Sequence, residues 1–339
     1  MHDPSSAGSS GHALRWDTTV AAKDRKSARR DLRPDRVLFP VTGFTKHDAV
    51  DYYLGVADVL LPHVRNRPMS IKRYPGDVTE ESFWEKDAPG FTPEWVKTVA
   101  VPRRSGKSEI DYIVVADRKT LAWLIDVGGL ELHPFLHTVR DLGRPTAVVF
   151  DLDPGAGATL LECAGVAVAL RAYLDSLELE SFAKVSGSKG AQVYVPLNSE
   201  ATHEQTELFA RLVAEEMTRM HPDLVVARMA KRHRARKVFI DYSQNADYKT
   251  TVAPYSLRGN REIPLVSLPV AWDELETAVR KGDVEHLEFG PAAALRRVER
   301  KGDLFAPVLK KKQDLPERFT EALRKLKETP RQEREEEGE

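Results

Sequence analysis

Apolar positions follow two periods along this chain, and segments of each kind alternate from Arg33 to about residue 310. In TKHDAVDYYLGVADVLLPHV they recur every three to four residues, which predicts a helix with Thr45 as its N-cap. Shorter runs, MSIKRYP, EIDYIVVA and TAVVF, predict strands; TLAWLIDVGG, between the last two, predicts a short helix ending at glycines. Beyond them ATLLECAGVAVALRAYLDSLEL predicts a long amphipathic helix, and FAKVSGSKGAQVYVPL a strand, tight turn and strand. EQTELFARLVAEEMTRM and DELETAV predict helices, and KVFIDYSQN a strand. Strands and helices mix without a strict β-α-β rhythm, which points to an α+β or mixed α/β fold. Residues 1–30, rich in Ser, Gly and charge, read as a disordered arm. Residues 31–310 read as the folded unit, an N-terminal part 31–140 and a core 141–310. Residues 311–339 read as a solvated charged helix and acidic tail.

Composition changes this picture little. The 339 residues are 41% apolar, with 5 Trp, 12 Phe and 9 Tyr, enough to bury a substantial core. A single cysteine, Cys163, excludes a disulfide framework and a cysteine-rich zinc site. No apolar run approaches a membrane span and the N-terminus has no signal-peptide core, so the expectation is a cytoplasmic protein without membrane contact. The net charge of −1 hides a segregation: acid gathers in RQEREEEGE, base in KDRKSARRDLRPDR, VPRRSGK and ARMAKRHRARK. Local patches of that kind, more than net charge, set affinity for a polyanion.

Chemistry concentrates in three stretches. Hydrophobic runs end in Asp twice, at AVVFDLD and KVFIDYSQN. Asp151 and Asp153 share one strand face, and if the two strands are neighbours Asp241 joins them. Three clustered carboxylates call for a divalent cation, Mg²⁺ or Mn²⁺ before zinc; the alternative is two unrelated strand-end turns. SGSKG, Ser186 to Gly190, lacks P-loop spacing, yet its glycines and the Ser186 and Lys189 donors suit an anion; a plain surface hairpin is the alternative. DYSQNADYKTTVAPYSLRG places Gln244, Asn245, Thr250 and Arg258 just after Asp241.

VVFDLDP invites comparison with haloacid-dehalogenase phosphatases, but Pro154 and Gly155 replace the Gly and Thr/Val of their first motif. The wider series fits another family. RPDRVLFPVTGFTKHDAVDYY, RPMSIKRYP, ESFWEKDAPGFTPEWV, LELHPF, VVFDLDP, SGSKGAQVYVPL, VFIDYSQNADYKTTVAPYSLR and IPLVSLPVAWDEL occur in one order from about Leu32 to Leu275. That series resembles the polymerase domain of bacterial DNA ligase D, a branch of the archaeo-eukaryotic primase superfamily. The resemblance implies an α+β primase-like core, its central antiparallel sheet flanked by helices and carrying the aspartates, with an N-terminal part packed against it.

It also implies roles. Asp151, Asp153 and Asp241 would hold two Mn²⁺ or Mg²⁺ ions for nucleotidyl transfer. Ser186, Lys189, Arg258 and Gln244 would grip the triphosphate, His133 would lie near the nucleotide sugar, and Lys72 is a further cation of the cleft. Phe83 and Trp84 match an aromatic pair of which one stacks on a templating base. Arg33, Arg36 and Lys46 match positions that recognise a 5′-phosphate at a gap. Arg33 stands where the family has Asn and Arg36 where it has Lys; Gln192 stands where the family has His, which exchanges a titratable group for one that only hydrogen-bonds.

The resemblance implies template-directed addition of nucleotides, ribonucleotides preferred, to DNA 3′ ends in gap filling or break repair. No KxDG ligase motif follows WDEL, so the expectation is a monomeric stand-alone polymerase module working beside a separate ligase and an end-binding protein such as Ku. A non-catalytic DNA-end-binding module that keeps the fold is the alternative.

Overall fold

A computed structural model describes residues 34–103, 105–106, 108–319 and 321. The proposed arm, Arg33 and most of the charged tail lie outside the described residues.

The two periods become two sheets and the helices that cover them. The helix expected after Thr45 forms over Lys46–Gly55, and Thr45 and Asp48 close it in a reciprocal capping box. It breaks at Val56, and a second helix runs over Ala57–Val64. The T-x-x-E and T-x-x-Q patterns at Thr159 and Thr202 start the helices Leu160–Asp175 and His203–Met220 in the same way. An additional helix, Pro291–Lys301, starts with proline in its first turn.

The larger sheet has six strands in the order Val225–Val226, Val238–Asp241, Ala147–Pro154, Ala191–Pro196, Phe182–Val185, Leu268–Val270. Its pairings are antiparallel except Val225–Val226 beside Val238–Asp241, which is parallel. Alternation sorts each strand's side chains. Val148, Phe150 and Leu152 enter the main core with Val193, Ala183 and Ile240, and Phe150 packs on Phe209 of the helix His203–Met220. On the opposite face Ala147, Val149 and Tyr194 form a small cluster with Phe305. Beyond that cluster the same face turns polar at Asp151 and Asp153.

The second sheet is built on Met69–Arg73, which pairs antiparallel with Phe83–Glu85, Gly129–Pro134 and, at Met69, Glu109–Ile113; Thr98–Pro102 completes it. One hydrophobic core runs without a break beneath both sheets, joining Leu60, Met69 and Ile71 to Leu170 and Val193. Residues before and after 140 therefore bury their apolar faces together.

One expectation is corrected here. Leu315 and Phe319 are buried, and Phe319 meets Phe209 edge-on at 4.8 Å, so the start of the charged tail docks on the core. Their apolar side chains outweigh the charged residues between them. Among the described residues no helix is long and apolar enough to cross a membrane.

Candidate active site

Register brings the aspartates together. Asp151 sits opposite Asp241 on one neighbouring strand and opposite Gln192 on the other, and Gln192 sits opposite Lys184. A single row, Asp241–Asp151–Gln192–Lys184, thus crosses the sheet on its polar face, with Asp153 two residues along from Asp151. Gln192 hydrogen-bonds to Asp151, and the Tyr194 hydroxyl lies 3.4 Å from Gln192 Oε1. Lys184, which sequence reasoning passed over as one residue of a strand, is fully buried and donates to Ser267 Oγ at 2.7 Å. Burial holds its ammonium well below the usual lysine range.

The strand bearing Asp241 ends there, and the chain turns into a short 3-10 segment, Tyr242–Asn245. Asp241 Oδ1 accepts from the Ser243 amide and hydroxyl, and Oδ2 from Gln244 Nε2 at 3.1 Å. Asn245 has a different task. Its side chain donates to Val149 O at 2.8 Å and accepts from Val149 N at 2.9 Å, continuing the ladder where the neighbouring strand has stopped.

The aspartates are poorly compensated. Burial, Asp153 and Asp241 together push the Asp151 carboxyl up to about 7, against a pull from Gln192 and Lys184. Burial and Asp241 raise Asp153 as well, opposed by Arg234 and Arg258. Such an excess of oxygen donors and negative charge fits a hard divalent cation. Among the described residues, however, no three carboxylates, imidazoles or thiols converge as a ready-made cage. Asp241 directs its oxygens at Ser243 and Gln244, so the expected cluster exists as backbone register and would close by side-chain rotation.

The phosphate-loop candidate borders the same cleft. Ser186 Oγ accepts from the amides of Ser188 and Gly190, each at 3.2 Å. The glycines serve the protein's own packing: a Cβ on Gly190 would lie 2.0 Å from Leu152 O, and one on Gly187, at φ +66°, would strike Val266 at 2.5 Å. Three side chains brace the loop from outside. Arg258 donates to Ser186 O at 2.8 Å, Asn260 to Ser188 Oγ at 2.7 Å and Arg261 to Ser188 O at 2.9 Å. Lys189 is exposed at the cleft lip.

The second sheet supplies the opposite wall. Trp84, Lys72 and Glu131 lie side by side across three strands, with Ser70 and His133 in the next row on that face. Trp84 is 50% exposed and meets the His133 ring edge-on at 4.6 Å. Phe83, one residue earlier, faces the other way, beside Arg73 at 5.5 Å. Only Trp84 of the pair lines the cleft, because neighbours in a strand point to opposite faces. Lys72 does not line it and lies 3.8 Å from Glu131.

The cleft measures about 850 Å³ and is lined by His133, Asp151, Asp153, Ser186, Lys189, Gln192, Gln244 and Arg258, among others. Trp84, Lys86, Arg234 and Lys249 complete its basic and aromatic rim. Arg234 comes from the ARMAKRHRARK patch, visible in the sequence only as local charge. The gap-recognition positions fare differently. Lys46 is 2% exposed and pairs with Asp126 at 2.9 Å, so its ammonium is engaged inside the protein. The Arg36 guanidinium donates to Pro75 O.

Two walls with these residues, an acidic row and a braced Ser/Gly loop, frame the cleft, and comparison with known proteins identifies the fold as that of a primase-polymerase domain. The family model described as LigD, primase-polymerase domain, matches residues 45–305. The chain belongs to that family. It is 40% identical over 287 residues to the multifunctional non-homologous end joining protein LigD of Mycolicibacterium smegmatis, covering 84% of this chain and 36% of that protein. It is 34% identical over 283 residues to the bifunctional LigD of Bacillus subtilis, covering 83% of this chain and 44% of that one. The chain therefore spans less than half the length of these curated relatives. The polymerase domain of Mycobacterium tuberculosis ligase D, solved in complex with DNA, superposes with a TM-score of 0.75 at 36% identity, covering 83% of this chain and 97% of that domain.

Proposed function

We propose that this chain adds nucleotides to DNA 3′ ends, reading a template where one is present, in gap filling and the joining of broken ends. The observation that carries the reading is the meeting in one cleft of Asp151 and Asp153, with Asp241 opposite Asp151 on the next strand, the braced loop 186–190 and the exposed Trp84. Membership of the ligase D polymerase family supports it.

Each wall has a part. Lys189, Ser186 and Arg258 offer donors to the oxygens of a triphosphate, and Arg258 is held in place by Ser186 O. Trp84 offers a flat apolar face to a base, a stack worth about 1–3 kcal/mol whatever the sequence. His133, beneath Trp84, is positioned for the sugar, and ribonucleotide preference would be read there. Asp151, Asp153 and Asp241 would hold two Mg²⁺ or Mn²⁺ ions, which when bound acidify the primer hydroxyl and neutralise the leaving pyrophosphate. The Asp241 oxygens, held by Ser243 and Gln244, would turn toward the ions for that role. A downstream 5′-phosphate would meet Arg36, with Lys46 available only on leaving Asp126. A ligase and an end-binding protein such as Ku would act beside this chain.

The test is extension of a labelled primer–template with Mn²⁺ or Mg²⁺, with ribo- and deoxyribonucleotides in parallel, on gapped, recessed and blunt ends. Extension, strongest with ribonucleotides, is expected. No extension by the wild type, with Asp151→Ala binding gapped DNA equally well, would instead establish a non-catalytic end-binding module.

A further inference from the structure

Glu131 lies one layer behind the cleft wall, 1% exposed, and is absent from the cleft lining. Its Oε1 accepts the Tyr74 hydroxyl at 2.8 Å and the Gly259 amide at 3.1 Å. Its Oε2 faces His133 Nε2 at 3.1 Å and Arg258 Nε at 3.0 Å. These partners come from three separate stretches: Tyr74 follows a strand of the second sheet, His133 shares the Glu131 strand, and Arg258 and Gly259 belong to a small hairpin between two strands of the six-stranded sheet. Arg258 also reaches Ser186 O, so one carboxylate links the wall of the second sheet to the phosphate loop.

We propose that Glu131 is a positioning residue for nucleotide binding, acting through His133 and Arg258 without touching substrate. The inference rests on the nucleotidyl-transfer reading above. An ionised carboxylate only accepts, so His133 must turn an N–H toward it, while Arg258 is held by charge, its Nε 3.0 Å away. That selects the His133 tautomer with the proton on Nε2 and leaves the lone pair on Nδ1. The carboxylate's charge also keeps the Arg258 guanidinium close, while Nη1 of that group donates to Ser186 O. Two of the side chains it holds, His133 and Arg258, line the cleft that Glu131 itself does not reach. An amide here would place an NH₂ group against the N–H of His133 and remove the charge that holds Arg258, forcing a tautomer change or a displaced guanidinium while keeping side-chain volume.

The experiment is Glu131→Gln, measured by steady-state extension and by titration with a non-hydrolysable nucleotide in Mn²⁺. The nucleotide KM should rise about tenfold with kcat changed less than about threefold, and the titrated affinity should fall in step. In a background carrying both His133→Ala and Arg258→Ala the same change should add less than about twofold, because both of its routes are already cut. Glu131→Asp, which keeps the charge, should recover part of the affinity. Unchanged KM, a loss confined to kcat, or effects that multiply with the His133→Ala, Arg258→Ala pair would overturn the proposal. If Glu131→Gln does not fold, Tyr74→Phe removes one hydrogen bond from Oε1 and should raise KM about threefold; no change there overturns the proposal equally. If the wild type binds nucleotide but extends no primer, the polymerase reading fails while the titration still decides the role of Glu131.

Discussion

Asp151 lines the cleft from one sheet and Glu131 lies one layer behind it in the other, and their acidities move in opposite directions. Asp151 is pushed up to about 7 because burial is compounded by Asp153 and Asp241. Burial would raise Glu131 too, yet the His133 hydrogen bond and the charges of Arg258 and Lys72 hold it well below the usual carboxylate range. Desolvation acts the same way on both; the neighbours decide the outcome. One wall therefore stores uncompensated negative charge suited to cations, while the other spends its negative charge inside the protein to fix its own cations.

The largest expected effect breaks the acidic wall. Asp241→Ala should reduce primer extension by more than about a thousandfold while leaving DNA affinity within about twofold. Equal activity would remove Asp241 from the machinery. On the opposite wall, Glu131→Ala leaves Arg258 and Lys72 beside an empty site and should destabilise the fold by about 3 kcal/mol in a denaturant titration. An unchanged midpoint would mean that water compensates those cations.

Asp151→Asn should do the reverse. Because the folded-state pKa of Asp151 lies above its ordinary value, wild-type stability falls as pH rises from about 4 to 7, and the full penalty applies above 7. The variant should melt a few degrees higher at pH 8, with the gap closing below pH 7. Added Mn²⁺ should stabilise the wild type more than the variant. A pH-independent difference would show that Asp151 carries no such penalty. Gln192→His, which places a titratable imidazole next to Asp151, should shift the nucleotide KM about three- to tenfold, measured by extension at varied nucleotide. No shift would mean that Gln192 senses Asp151 alone. Smallest of all, a 5′-phosphate at the gap should improve DNA affinity only about twofold, since Lys46 is committed to Asp126. A strong preference would show that this pair opens on DNA.

Much of the frame was legible before any coordinates. The capping pattern at Thr45, the strand entering Asp151 and the hairpin around SGSKG are local, and each formed where expected. The helix after Thr45 nonetheless broke at Val56, and Phe83 and Trp84, read as a pair, separated onto opposite faces. Glu131 and Lys184 gave no sign of themselves. A carboxylate and an ammonium inside strands look like solvent-facing residues until the fold closes over them. Lys46, by contrast, looked like a surface cation and is buried on Asp126.

The amino-acid order alone determined the strand and helix periods, the shared face of Asp151 and Asp153, and the motif series that places the chain among ligase D polymerase domains. These depend on spacing within a few residues, or on linear order. Only the tertiary structure decided that Asp241 lies beside Asp151, that Gln192 and Lys184 extend the row, and that Glu131 gathers His133 and Arg258. Strand register and burial are set by packing between segments distant in the chain, and a one-residue slip would send every one of those side chains to the opposite face.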